Sequence, residues 1–216
     1  MTALSARTLK GPRRFVRRVA RRANSPQWQF LRGFLKNPVM VGSVIPSSKV
    51  LIDRMLAPVR WDEVKLFVEY GPGVGTFTRP VLDRLPADAK LIAIDTNADF
   101  IAFLEKDLAD DRLIAVAGSA ADVEQIVASH GFKKADYILS GLPFSTLPPG
   151  VGSAIGEATA KAIRPGGAFL VYQFSSKVRE FIAPHFERIE RGFEWVNVPP
   201  ATLFWAWREP VETTAG

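Results

Sequence analysis

The sequence predicts an α/β fold built on a mostly parallel sheet with helices on both faces. Beyond residue 60, five short apolar runs alternate with segments of helical character. A turn carrying three glycines follows the first of these runs directly and leads into a helical segment. Two further apolar runs flank Pro199 and Pro200 near the end of the chain and look like an antiparallel pair.

The first 52 residues hold eleven Lys or Arg and no acid, so they concentrate the positive charge of a chain whose net charge is only +6. From Arg13 to Ala23 the sequence reads "RRFVRRVARRA". At about 100° per residue, Arg13, Arg14, Arg17, Arg18, Arg21 and Arg22 fall on one side of a helix. Phe15, Val16, Val19, Ala20 and Ala23 fall on the other. Pro12 suits the first turn and Pro26 the stop. We expect residues 1–27 to form a basic amphipathic helix lying in the plane of an anionic bilayer, followed by one domain over 28–216. A helix packed on its own domain, an arm gripping nucleic-acid phosphates and an organellar transit peptide are the competing readings.

The strand-like runs of the body are 65–71, 90–96, 112–118, 135–141 and 167–175, with helices expected around 76–85, 97–108, 120–130 and 152–163. The late pair spans 186–198 and 201–209. With no cysteine, disulfides, thiolate metal sites and Cys nucleophiles are excluded. No apolar run is long enough for a membrane span, and there is no secretory leader pattern. His130 and His185 are expected to be structural, and no cluster has metal-ligand spacing, so no metal is expected.

The glycine turn reads "EYGPGVG", Glu69 to Gly75. Gly71, Gly73 and Gly75 let the backbone turn tightly and approach a ligand. The acid ahead of them disfavours a pyrophosphate and suits a cationic ammonium group. Asp95, at the end of the second run, is placed to bond a ribose diol. "GSA" (118–120) ends the third run and "SGLPF" (140–144) the fourth. Ligands of open α/β sheets bind beyond the carboxyl ends of the strands, so these four segments converge on one crevice.

"VEYGPGVGTFT", "LIAIDTN", "AGSA" and "SGLPF", in that order, resemble a class I S-adenosylmethionine-dependent methyltransferase. "NPVMVGSVIPSSKVL" (37–51), "SGLP" and "NVPPA" resemble, more narrowly, bacterial phospholipid N-methyltransferases, which methylate phosphatidylethanolamine towards phosphatidylcholine. The resemblance implies a Rossmann-like, seven-stranded sheet with a C-terminal antiparallel hairpin and N-terminal amphipathic helices. It implies that Glu69, Tyr70, Gly71, Gly73 and Gly75 hold the methionine end of S-adenosylmethionine. Asp95 and Thr96 would take the ribose, and Ser119 and Ala120 would border the adenine. Ser119 stands where the family usually has an acid, which leaves adenine to backbone amides or Asp122.

At the fourth corner, Ser140 stands where methyltransferases acting on adenine N6 have Asn or Asp. A hydroxyl reaches less far than an amide, and an aliphatic lipid amine needs orientation more than activation. Ser140, Gly141 and Pro143 would form the catalytic corner, with Ser140 also bordering the cofactor and Tyr172 orienting the amine. Ile45, Ser47, Phe144 and Arg179 are the substrate-side candidates, and Arg164 and Lys177 are further cations expected to flank the crevice. The resulting expectation is methylation of phosphatidylethanolamine and its methylated intermediates at the inner face of a bacterial cytoplasmic membrane, with an anionic membrane surface as partner. The alternative is an RNA adenine N6-methyltransferase whose basic front holds nucleic acid.

Overall fold

The computed structural model describes residues 48–173, 176–196 and 200–209. The expected basic helix, with Arg13 to Arg22, and the candidates Ile45 and Ser47 lie outside the described residues.

Strand β1 (Leu66–Tyr70) and strand β4 (Ala135–Ser140) are buried at every position. Strands covered on both faces need continuous apolar runs rather than alternation, and that is how these two read. They pair in parallel at the centre, with β2 (Lys90–Asp95) and then β3 (Leu113–Ala117) beyond β1. Strand β5 (Ile163–Gln173) lies parallel to β4, and β7 (Ala201–Trp207) lies antiparallel between β5 and β6 (Arg188–Glu194). The order is β3-β2-β1-β4-β5-β7-β6, so the expected seven strands and terminal antiparallel pair are both present. Because the crossovers run outward in opposite directions from β1 and β4, the chain parts there and leaves a crevice at the carboxyl ends.

Alternate residues of the central strands feed two cores. Leu66, Val68, Tyr70, Ile138, Phe169 and Val171 face one core, which also takes residues of α4 (Val123–Ser129), α5 (Val151–Ala162) and α6 (Val178–Ile182). Phe67, Leu91, Tyr137, Leu139 and Leu170 face the other, with α1 (Lys49–Leu56), α2 (Thr78–Leu82) and Trp205 of β7. The Trp205 indole donates to the Met55 carbonyl at 3.0 Å, fastening the end of α1 to β7. Helix α3 (Ala98–Leu108) is capped by the Asn97 side chain and packs on β2 and β3.

Two departures from the expected elements have plain causes. Strand β5 starts at Ile163 rather than Gly167, because Ile163 pairs with Ala135 and the ladder then slips across Pro165-Gly166-Gly167 before resuming at Ala168. Helices α1 and α6 were not expected; with eight and five residues they are too short to show much periodicity.

Asp136 anchors the end of the sheet opposite the crevice. It is buried, its Oδ2 accepts from the Lys65 and Leu66 amides at 2.7 and 2.8 Å, and its Oδ1 meets Arg164 Nε at 2.5 Å. Asp136→Ala leaves two amides without their acceptor and takes from Arg164 its shortest carboxylate contact, leaving it Glu63 and the Pro165 carbonyl. A stability loss of about 3 kcal/mol in urea unfolding is expected.

Candidate functional site

Glu69 is the fourth residue of β1 and faces α2. It is buried, and among the described residues neither its Oε2 nor Thr78 Oγ1, at the start of α2, has a hydrogen-bond partner. Burial pushes its carboxyl up to about 8; the Thr78 hydroxyl pulls the other way, and the charge of Asp95 adds to the rise. A buried carboxylate without a partner is costly until a cation reaches it.

The backbone beyond β1 turns through Gly71, Gly73 and Gly75 with φ of +63°, +54° and +85°. The Gly71 amide donates to the Ile94 carbonyl at 2.9 Å. A Cβ on Gly71 would lie 3.0 Å from Leu142, and one on Gly75 2.9 Å from Leu104, whereas one on Gly73 would meet nothing within 4 Å. Two of the glycines permit close packing, and the middle one leaves open floor for a ligand.

Asp95 ends β2 half-buried, which raises its pKa, while the Asn97 amide at 2.8 Å and the Gly73 amide favour its ionised form. Thr96 beside it is exposed. Beyond β3, Ser119 Oγ accepts from the Ala121 amide at 3.2 Å and caps a short turn from Ala120 to Asp122. The hydroxyl that stands in the family's acid position thus serves the backbone; Asp122, exposed, is the nearby carboxylate.

At the end of β4 the Gly141 amide donates to the Tyr70 carbonyl at 3.1 Å. Ser140 is fully buried, and its Oγ accepts from the Leu142 amide at 3.2 Å, which shapes the corner from within. The Leu142 carbonyl in turn accepts from Gln173 Nε2 and from the Phe144 amide. A Cβ on Gly141 would lie only 2.5 Å from Tyr172 Oη. Tyr172 stacks on Phe77, 4.8 Å between centroids. Glu69, the glycine turn, Asp95, Gly141 and Tyr172 therefore converge at the carboxyl ends of β1, β2, β4 and β5. Phe77 and Thr78 join them without having been expected. Their signal was the "TFT" directly after the third glycine.

Four expectations need correcting. Tyr70 turns its ring into the core against Phe169, with its hydroxyl on Thr159 of α5, so only its backbone borders the crevice. Phe144 is 2% exposed and stacks on Phe181 at 6.0 Å, so it is a core residue and not a wall of the substrate site. Arg164 lies at the start of β5, bound to Asp136 at the opposite end of the sheet. Arg179, on α6, lines a separate cavity with Arg191 of β6 rather than the crevice itself. His130 closes α4 through its Nδ1, 2.8 Å from the Ile126 carbonyl, a structural role.

No family model matches the chain. An O-methyltransferase from Bacillus cereus, solved in complex with S-adenosylhomocysteine, superposes with a TM-score of 0.61 at 12% identity, over 85% of this chain and 91% of that one. The chain has the fold of class I S-adenosylmethionine-dependent methyltransferases. Among curated proteins, the ornithine lipid N-methyltransferase of Singulisphaera acidiphila is 27% identical over 81% of this chain and 92% of its own length. The ribosomal RNA small subunit methyltransferase A of Bordetella pertussis is 28% identical over 63% of this chain, which spans only 44% of that protein.

The residues present fit the methyltransferase cofactor. Glu69, whose Oε2 has no partner among the described residues, suits its ammonium, the open floor at Gly73 its methionine backbone, and half-buried Asp95 its ribose. When bound, S-adenosylmethionine supplies a methyl group on a sulfonium leaving group. Among the described residues no group of His, Asp and Glu could hold a metal.

Protonated below about 8, Glu69 has to ionise to pair with an ammonium. Cofactor binding near pH ~6.5 should therefore release close to one proton, and affinity should rise roughly tenfold per pH unit towards 8. Calorimetry in buffers of different ionisation enthalpy reads that proton, and Glu69→Gln should abolish both effects. In the unliganded protein the sign is opposite. A raised carboxyl pKa means that stability is greatest below 4.5 and is lost as pH climbs through about 8, a loss the Gln variant escapes.

Gly141→Ala should cost about 1–3 kcal/mol by driving Tyr172 off Phe77. Tyr172→Phe removes the clashing oxygen and should recover at least half of that loss. Additive costs in the double variant would refute the contact.

Proposed function

We propose that the chain methylates the amino group of a membrane lipid, with phosphatidylethanolamine and its methylated intermediates as substrates on the way to phosphatidylcholine. The observation that carries this reading is the burial of Phe144. A base-methylating corner uses an exposed ring to stack its target, and here that ring is committed to Phe169 and Phe181. Ser140 likewise spends its hydroxyl on the Leu142 amide. What remains at the corner is the Gly141 backbone packed against Tyr172 Oη, too close to admit even a Cβ, which leaves no slot for a planar base between them.

Such an ammonium has a pKa near that of Lys, ~10, so it loses a proton before it attacks. Transfer from sulfur is an in-line displacement, and the protein contributes chiefly by alignment. Tyr172, held against Phe77 on the Glu69 side of the sheet, is placed to orient the amine. The Ser140–Pro143 corner fixes the backbone opposite it.

Support for a membrane setting comes from two ends of the chain. Residues 1–52 carry eleven basic residues and no acid. Trp195 and Val196, 75% and 66% exposed, follow β6 at the same end of the sheet as the crevice. Indole and valine suit an interfacial contact, and anionic lipid suits the basic segment. We place the protein, on this reading, at the inner face of a bacterial cytoplasmic membrane. The ornithine lipid enzyme, matched over nearly its whole length, supports lipid N-methylation in general. The ribosomal RNA relatives support the alternative, RNA adenine N6-methylation, which the buried Phe144 opposes.

Transfer of label from S-adenosylmethionine decides between them. The substrates are phosphatidylethanolamine vesicles with anionic lipid, the same vesicles without it, and protein-free ribosomal RNA. Label in the lipid, at least tenfold greater with the anionic component, is expected. Label in RNA alone would overturn the reading.

A further inference from the structure

Thr78 opens α2 just past the glycine turn, wholly buried, and a Cβ on Gly75 would lie 3.8 Å from its own Cβ. A threonine in a helix ordinarily turns its hydroxyl to a backbone carbonyl three or four residues back. Here the Gly75 carbonyl, three residues back, takes the Arg79 amide at 3.3 Å, and Thr78 Oγ1 has no hydrogen-bond partner among the described residues. Valine would fill nearly the same volume without burying an unmatched hydroxyl, so packing alone does not account for threonine at this place. The Glu69 carboxyl, 3% exposed, faces α2 from β1, and its Oε2 is likewise without a partner. Burial favours its neutral form, and the Thr78 hydroxyl favours the ionised one. An ammonium has three N–H donors while a carboxylate accepts about four hydrogen bonds, so a bound ammonium leaves this carboxylate room for a donor from the protein.

We propose that Thr78 is a positioning residue for the methyl donor: its hydroxyl donates to the ionised Glu69 carboxylate and holds it for the donor's ammonium. Glu69 supplies the charge and Thr78 the hydrogen bond that steadies it, one from each side of the glycine turn. Any effect of Thr78 on the cofactor therefore passes through Glu69, a dependence that packing alone would not produce. The proposal concerns the cofactor end of the site and holds whether the acceptor is a lipid or a nucleic acid.

Calorimetric titration of the full chain at pH 7 with S-adenosylhomocysteine, which has the same ammonium, tests the first consequence. Thr78→Val should weaken binding about tenfold, the loss of one hydrogen bond to a charged group. Thr78→Ser, which keeps the hydroxyl, should stay within about twofold of the unaltered protein. In a Glu69→Gln background, Thr78→Val should cost less than about twofold. A carbon-13 NMR titration of the side-chain carboxyls, with no ligand, gives a readout independent of binding. The Glu69 signal, identified by its loss in Glu69→Gln, should titrate at about 8 in the unaltered protein. In Thr78→Val its midpoint should move up by about half a pH unit or more, and in Thr78→Ser it should stay in place. An unmoved midpoint in Thr78→Val, with or without weaker binding, would overturn the proposal. So would an equal loss of affinity with and without the Glu69 carboxylate, which would assign Thr78 to packing.

Discussion

The site depends on β1 being central and buried on both faces. Strands on either side of it complete its ladder, and the hydrogen bonding continues one residue beyond the strands: the Gly71 amide reaches Ile94 and the Gly141 amide reaches Tyr70. There the chain must part, because β1 and β4 send their crossovers in opposite directions. The parting creates the crevice and leaves its walls as backbone. Gly71 and Gly75 sit where a Cβ would strike Leu142 and Leu104, so the walls close as tightly as atoms permit. Gly73 faces nothing, and its backbone is what a ligand would meet.

The same burial explains why the site is electrostatically poised. A carboxyl at the end of a central strand loses its water on both sides of the sheet, and among the described residues no basic residue takes its place. Burial favours the neutral form of Glu69 below about 8, and a cation at the site favours the ionised form. Asp95, one strand outward and half-buried, keeps amide partners and suffers a milder version of the same effect. The gradient from Glu69 to Asp95 mirrors the cofactor, charged at its methionine end and neutral at its ribose.

Much of this was legible in the residues. Continuous apolar runs marked the strands, Gly71 to Gly75 marked the turn, and Glu69 and Asp95 stood at the strand ends where a ligand is met. What the residues did not disclose was direction. Strands apolar on both faces do not announce which face a residue takes, so Tyr70, next to Glu69, was assigned to the crevice although it points into the opposite core. Phe144 was misread because a tight turn after Pro143, not periodicity, decides where its ring goes. Arg164 was misread because Pro165 and two glycines hid the first residues of β5, moving it to the far end of the sheet.

The 140–144 corner has two sides. Ser140 and Phe144 lean towards the core under α5 and α6, while Gly141 looks across to Tyr172, on the side of Glu69. The corner is thus shaped from its core side, while the groups that border the crevice stand on the other. Drift in the core-facing pair would reshape the corner without touching the groups that grip the methionine end. A scaffold divided this way can alter its corner from the core side while its methyl-donor chemistry stays intact.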